Sequence, residues 1–170
     1  SKNLEFEPIN DEDVEKFWKA YNLVREIDIS KIPTERTPPY GFPRFPLWGF
    51  DKFYKIFNAR QLILLARIID KLNYLKNEIS TIYDNTYAEG LITYLAIAVL
   101  NHIRHNCLLT SVHSSRTFIR DATSFRELIM AWNWADVSPL ANIIGSLSKS
   151  IDHVIEGLEY LVRNNENSDV

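Results

Sequence analysis

The sequence predicts an all-α fold, a helical bundle of about five helices with a proline-rich N-terminal arm. Apolar residues recur at helical spacing through most of the chain, and no segment alternates polar and apolar residues as a half-buried strand would. Five of the seven prolines lie between residues 33 and 46, where they end helices and exclude a central strand. We therefore predict an N-terminal helix and arm over 1–46, a helical body over 47–164 and a polar tail over 165–170.

The composition favours one globular domain. The chain has 170 residues, of which 46% are hydrophobic and 24% charged. Its net charge of −3 gives no general attraction for nucleic acid, so a polyanion site would have to be local. Cys107 is the single cysteine and suits a reducing compartment. Because the longest apolar run, Leu91 to Leu100, is shorter than the ~20 residues of a bilayer span, we predict a cytoplasmic protein with no membrane partner.

The first predicted helix lies in the arm, over about Asp11 to Ile27. Asn10 is a good N-cap, and acidic residues follow it in the first turn, where they complement the helix dipole. Apolar side chains recur at helical spacing and predict one apolar face, formed by Val14, Phe17, Trp18, Tyr21 and Val24.

Two longer helices are predicted in the body. Asn58 caps a helix that covers Ala59 to Leu72, with a core stripe at positions 62, 65, 66, 69 and 72. The next helix covers about Thr86 to Asn106. It is apolar almost all round between Leu91 and Leu100, which predicts a buried position at the centre of the bundle.

The last two predicted helices lie in the C-terminal third. One covers about Thr123 to Trp134. The other opens at Ser138-Pro139, because serine is a good N-cap and proline is tolerated at the first helical position. Its apolar stripe consists of Leu140, Ile143, Ile144, Leu147, Ile151, Val154, Ile155, Leu158, Leu161 and Val162.

Two kinds of self-contained chemistry are possible around the end of the third helix. His102, His105, Cys107 and His113 offer zinc-type ligands, but their spacing is irregular and a polar helix end is the favoured explanation. Cys107, or Ser114-Ser115 beside His113, can be imagined as nucleophile and base. The five glycines are scattered and form no phosphate-binding loop, so no cofactor is expected in this chain alone.

A local basic stretch stands out between residues 90 and 120, which contain no Asp or Glu. Its arginines can contact phosphates, or they can form a solvated surface that pairs with the acidic C-terminal part of the chain. Nearby tryptophans can stack on a base or pack in the core. The residues concerned are Arg104, Arg116, Arg120, Arg126, Trp132 and Trp134.

Three segments together resemble the large adenine-specific DNA methylases that carry a zinc-ribbon insertion. They are Phe57-Asn58-Ala59-Arg60-Gln61-Leu62, the apolar segment Tyr94 to Ala98 that leads to Asn106 and His113, and Met130 to Pro139, with its Trp-Asn-Trp-Ala-Asp-Val-Ser-Pro core. The resemblance covers roughly residues 45 to 162, in the family's order. The chain departs from the family's tendency at Asn133, Asp136, Ser138 and Leu140, where Asp, Glu, Asn and Phe are usual.

The resemblance implies a helical, DNA-contacting or target-recognition segment, or split subunit, of an adenine-specific DNA methyltransferase that is not catalytic by itself. The family's glycine-rich motif and Asp-Pro-Pro-Tyr loop are missing, so S-adenosylmethionine is expected on a partner or a missing domain, which would be a catalytic methyltransferase subunit. No Cys-x-x-Cys pair and no metal site are expected. The implied contacts to DNA backbone or bases are Arg60, Gln61, Asn106, His113, Arg116, Arg120 and Arg126.

Two features leave other interpretations open. Thr37-Pro38-Pro39-Tyr40 is similar to the methylase catalytic loop, but threonine lacks the carbonyl-type acceptor of Asp or Asn, and the stretch is better explained as a connector. The alternative function is a helical protein–protein interaction module without enzymatic activity. It would dock on a protein through the N-terminal helix and the aromatic stretch 40–57.

Overall fold

The computed structural model describes residues 7–39, 45–113, 118–123 and 133–166. The mostly helical fold is confirmed, but the described residues contain four α-helices where about five were predicted. They are α1 (Asp11–Val24), α2 (Ala59–Ile82), α3 (Asn85–His105) and α4 (Leu147–Glu166). Two short strands, β1 (Ser111–His113) and β2 (Phe118–Arg120), and the 3-10 turns Ile29–Lys31, Phe45–Trp48 and Phe53–Ile56 complete the described elements.

Capping boxes start α1 and α2, as the sequence predicts for their caps. The side-chain oxygen of Asn10 accepts a hydrogen bond from the N–H of Asp13, and that of Asn58 accepts one from the N–H of Gln61. In each case the third helical residue returns the bond to the cap's own N–H. Helix α1 ends three residues before the predicted Ile27, and α2 continues to Ile82 because no glycine or proline interrupts it.

Only one end of the predicted apolar face of α1 packs against the protein. Ala20 is buried, and Val24 packs against the core beside Phe57. In contrast, Val14, Phe17, Trp18 and Tyr21 are exposed, with Trp18 at 55%. The helix therefore packs through Ala20 and Val24, and its aromatic side chains stay exposed.

Helix α3 begins one residue before the predicted start and ends at His105, with Asp84 as its N-cap. It lies between α2 and α4, as its apolar character suggests. The expectation of a helix buried all round is wrong, since Tyr94, Ile97 and Leu100 are exposed along one side.

The predicted start of the last helix, at Ser138-Pro139, is wrong. The chain turns through 139–146, and α4 begins only at Leu147. Gly145 adopts φ +91°, a left-handed conformation that interrupts a helix. Ser146 then serves as the cap, with its side-chain oxygen accepting from the N–H of Lys149 at 3.2 Å. The helix predicted over 123–134 lies almost entirely outside the described residues.

A small antiparallel sheet was not predicted. Ser111 pairs with Arg120, Val112 with Ile119 and His113 with Phe118. Strands of three residues are too short to show an alternating pattern in a sequence, so the hairpin left no readable signal.

The helices pack in chain order, α1 on α2, α2 on α3 and α3 on α4, with no other extensive helix pair among the described residues. A closed bundle would also bring the first and last helices together. Consistent with a row of helices, the chain exposes 12558 Å². A compact monomer of its mass, 19.8 kDa, would expose about 8600 Å². The row leaves apolar surface uncovered that a second layer would normally bury.

The structure does not support a separate proline-rich arm. The described first part of the proline-rich stretch packs on the segment after it. The N–H of Thr37 donates to the carbonyl of Asp51, and the N–H groups of Phe53 and Tyr54 donate to the carbonyls of Glu35 and Pro33. These contacts cross the boundary predicted at residue 46. The predicted polar tail begins inside α4, which continues to Glu166.

The hydrophobic core lies where α2 begins and α3 ends. Phe57, Leu62 and Cys107 are buried there, and half-buried apolar residues surround them. None of the helices in the described ranges is long and apolar enough to cross a membrane.

Candidate functional site

Three segments that are far apart in the sequence meet beside this core. They are the first turn of α2, the last turn of α3 and the extended segment 133–137. They include parts of all three segments that carry the methylase resemblance. Side-chain amides and a histidine join them through hydrogen bonds, and we call this set the buried polar network: Gln61, His102 and Asn106, with the backbone groups of Ala135, Val137 and Gly145.

Gln61 links α2 to the other two segments. Its side chain is buried, with the residue only 1% exposed. Its Oε1 accepts from the N–H of Asn58 at 2.9 Å, and its Nε2 donates to the carbonyl of Ala135 at 3.0 Å and to Oδ1 of Asn106 at 3.3 Å. One side chain therefore closes the capping box and holds segment 133–137 against α2.

Asn106 is the branch point. Its Oδ1 accepts from the N–H of Val137 at 3.0 Å as well as from Gln61, and its Nδ2 donates to Nε2 of His102 at 3.2 Å. It terminates α3 as the C-cap. The end of α3 is therefore fixed to a backbone segment thirty-one residues later in the chain.

His102 connects the network to the turn before α4. Its Nδ1 lies 2.7 Å from the carbonyl of Gly145. Since a carbonyl only accepts, Nδ1 carries the hydrogen and Nε2 is free to accept from Asn106. Burial lowers the pKa of His102, while the bond to the Gly145 carbonyl opposes that shift. The imidazole is thus held neutral, as a single tautomer.

An ion pair borders the network at the surface. Arg60 lies 2.6 Å from Asp136, and Nδ2 of Asn58 donates to the same carboxylate at 3.4 Å. Arg60 remains 48% exposed in its side chain, so only part of its guanidinium is used by Asp136.

Segment 133–137 also forms hydrogen bonds to the region around β1. Asn133 and Val112 exchange hydrogen bonds, the Val112 N–H to the Asn133 carbonyl and the Asn133 Nδ2 to the Val112 carbonyl, each at 3.0 Å. An aspartate at 133 could not make the second bond, because a carboxylate has no donor. The N–H of Ala135 donates to the Thr110 hydroxyl at 2.9 Å. The Asn133 departure from the family pattern therefore fits the contacts of this chain.

The network's chemistry is structural. Among the described residues no buried side-chain nitrogen or oxygen lacks a partner. A catalytic group needs a free donor, acceptor or proton site toward a substrate, and these three side chains direct theirs at one another and at the backbone. The arrangement fixes three segments in one geometry.

The structure separates the predicted DNA contacts. Gln61 and Asn106 lie inside the protein with their amides already bonded, which removes them from any DNA surface. Arg60 lies at the surface. His113 and Arg120 lie on the hairpin and are half-buried, with the His113 ring stacked on Phe118 at 5.1 Å.

The remaining two predicted contacts, Arg116 and Arg126, lie outside the described residues, as does Trp132. Arg104, from the same acid-free stretch, pairs with Asp121 at 3.2 Å. Asp121 directly follows the acid-free stretch and thus neutralises one of its arginines.

The alternatives based on Cys107 and the histidines find no geometric support. His105 bonds the carbonyl of Asn101 at 2.8 Å, and the described residues contain no group of three His, Cys, Asp or Glu arranged to hold a metal. Burial raises the pKa of Cys107 to about 11, so it remains a poorly nucleophilic thiol. Ser114-Ser115 lie outside the described residues.

Thr37 has a structural role as well. It is buried, and its hydroxyl donates to the carbonyl of Phe50. Tyr40 lies outside the described residues. The threonine of Thr37-Pro38-Pro39-Tyr40 therefore holds the connector to the segment before α2.

The sequence alone does not show the role of His102, for which it suggests either a metal ligand or part of a polar helix end. The available signal was the pair His102 and Asn106, four residues apart on one side of an otherwise apolar helix end. Comparison with known proteins adds no assignment: no family model, no curated protein and no solved structure matches the chain.

Proposed function

We propose that the chain is a helical target-recognition segment or split subunit of an adenine-specific DNA methyltransferase, and that it is not catalytic by itself. The observation that carries the proposal is the meeting of the three family-like segments in the buried polar network. If these segments act together as the resemblance implies, they are expected to be held together. S-adenosylmethionine and the catalytic loop would belong to the partner.

The open row of helices also supports a role inside a larger body. Apolar residues remain exposed on α1, α3 and α4, and the total exposed area exceeds that of a compact monomer. A methyltransferase part that covers one side of the row would bury this surface. In such an assembly the chain would supply shape and contacts to DNA, and the partner would supply the methyl transfer.

The test is methylation of adenine in duplex DNA with labelled S-adenosylmethionine. A candidate partner, a methyltransferase part whose own sequence carries the glycine-rich motif and the Asp-Pro-Pro-Tyr loop, is assayed alone, with an equimolar amount of the chain, and with an unrelated helical protein as control. We expect no activity from the chain alone and an increase only in its presence. Equal activity with the chain and with the control, or activity of the chain alone, would contradict the proposal.

A second candidate is a helical protein–protein interaction module without enzymatic activity. The aromatic side chains of α1 favour it, because Phe17, Trp18 and Tyr21 form an exposed edge-to-face cluster with ring centroids 5.4 and 5.7 Å apart. Exposed aromatic clusters are typical of contact surfaces. A complex with a protein other than a methyltransferase, lost in Trp18→Ala and unaffected by DNA, would favour this function over the first.

A further inference from the structure

A groove between α1 and α2 is lined by cations and apolar residues only. Its volume is about 360 Å³. Helix α1 contributes Lys16, Lys19, Ala20 and Leu23 to its walls, and α2 contributes Arg60, Ile63, Leu64 and Arg67. Four positive charges thus converge on a shallow depression with an apolar floor. The protein as a whole is negative, so this is a local reversal of its charge.

The four cations are not equally available. Lys16 pairs with Glu12 at 2.7 Å, and Arg60 pairs with Asp136 at 2.6 Å. Lys19 and Arg67 have no ion pair with any residue in the described ranges. An incoming anion would therefore gain most from Lys19 and Arg67, with Arg60 oriented by Asp136 at the groove's edge.

The spacing fits a repeated anion better than a single one. Lys16 and Lys19 are one helical turn apart, and Arg60 and Arg67 are two turns apart, which is about 10.5 Å along α2. A DNA strand advances about 3.4 Å per phosphate along its axis. The cation-lined walls therefore span about three phosphate steps, which leaves room for two or three phosphate contacts.

The same helix pair carries the opposite charge farther along. Beyond Leu23 the walls include Glu26, Asp28 and Asp70, with Lys31 paired to Asp70 at 2.7 Å. These carboxylates would repel a polyanion that extended in that direction. The charge pattern thus limits an anionic strand to the part of the seam between Lys16 and Arg67.

We infer that the α1–α2 groove binds the phosphodiester backbone of DNA, through Lys19 and Arg67 with support from Arg60 and Lys16. The inference deepens the proposed function, on which it rests for the choice of DNA over other polyanions. It moves the main contact away from the acid-free stretch that sequence analysis favoured, because the α1–α2 groove collects four cations from helices that lie far apart in the chain.

The experiment measures binding of fluorescent oligonucleotides, one single-stranded and one duplex of the same sequence, by anisotropy at several salt concentrations. For two or three phosphate contacts, the slope of log affinity against log salt should be about −2 to −3 for duplex and somewhat smaller for a single strand. The double variant Lys19→Ala/Arg67→Ala should bind roughly tenfold more weakly at low salt and lose about one to two units of slope. Comparing the two oligonucleotides distinguishes the form of DNA.

The matched control is Lys71→Ala/Arg163→Ala, which removes the same two charges outside the groove. It should bind nearly as wild type. An equal loss of DNA affinity in both double variants would overturn the assignment of the binding site to the groove, since only net charge would then matter. Equal binding of an acidic polypeptide such as polyglutamate, with the same loss in the groove variant, would overturn the assignment to DNA.

Failure of the groove assignment can be distinguished from failure of the proposed function. If the wild-type chain stimulates the methyltransferase part but both double variants bind DNA as wild type does, the groove is wrong and the proposed function stands. If the wild-type chain shows no salt-dependent DNA binding, the groove is also wrong, and the methylation assay alone decides the function.

Discussion

The end of the molecule where α2 begins and α3 finishes is held by directional polar bonds, whereas the outer faces of the helix row are apolar and uncovered. At the first region, Gln61, His102 and Asn106 satisfy one another and the backbone. At the second, side chains such as Trp18 and Leu100 face solvent. The difference indicates that the chain fixes its own geometry at one end, while apolar surface stays exposed on the helix row, where the proposed partner would bury it.

The largest expected effect comes from breaking the network's branch point. Asn106→Ala leaves the N–H of Val137 and Nε2 of His102 without partners, each at a cost of about 1–3 kcal/mol, so we expect a loss of about 3 kcal/mol or more. Urea unfolding followed by circular dichroism measures it. Asn73→Ala, at an exposed position of α2, is the control and should change the free energy of unfolding by less than about 0.5 kcal/mol. Similar losses of unfolding free energy in the two variants would contradict the distinction between the buried polar network and the exposed helix faces.

A slightly smaller effect is expected at Gly145. An added Cβ would lie 2.5 Å from Cβ of His105, and φ is +91°, so Gly145→Ala should destabilise the fold by about 2–3 kcal/mol. Gly157→Ala is the matched control, because its Cβ meets nothing within 4 Å in the middle of α4. That change should stabilise the helix by roughly 0.5–1 kcal/mol. Opposite signs in thermal unfolding are the predicted result, and equal signs would contradict the described turn.

The network should also make stability depend on pH. The pKa of His102 is lowered in the folded state from its ordinary 6.5, so its contribution is present above pH 6.5 and decreases as the pH falls, when the unfolded chain gains a proton that the folded one excludes. The free-energy difference between wild type and His102→Gln should therefore shrink as the pH is lowered from 7.5 to 5.5. A difference that stays constant with pH would show that His102 is not buried as a neutral ring.

The smallest effect on stability is expected on the uncovered faces. Trp18→Ala removes a large side chain that is half exposed and contacts chiefly its aromatic neighbours, so the isolated chain should lose less than about 1 kcal/mol. Phe57→Ala, in the buried core, should cost about 3–5 kcal/mol in the same assay. A Trp18 variant as unstable as the Phe57 variant would mean that the α1 face is already covered in the isolated chain.

Local signals in the sequence predicted the starts of α1 and α2 and the extent of α3, because caps at Asn10 and Asn58 and apolar periodicity act within a few residues. They misplaced the start of α4, since Ser138-Pro139 satisfies the cap rule equally well and only the left-handed turn at Gly145 selects Ser146. The packing of helices side by side depends on contacts far apart in the chain. The amides of Gln61 and Asn106 were assigned to a surface because nothing local shows that they face each other.

The most direct test of the central claim compares amide hydrogen exchange of the chain alone and in complex with the proposed methyltransferase part. Backbone amides that the network holds, those of Gln61 and Val137, should be protected in both states. The exposed halves of α1 and α4 should exchange quickly alone and become protected only in the complex. Strong protection of α1 and α4 in the isolated chain, unchanged by the methyltransferase part, would contradict the account.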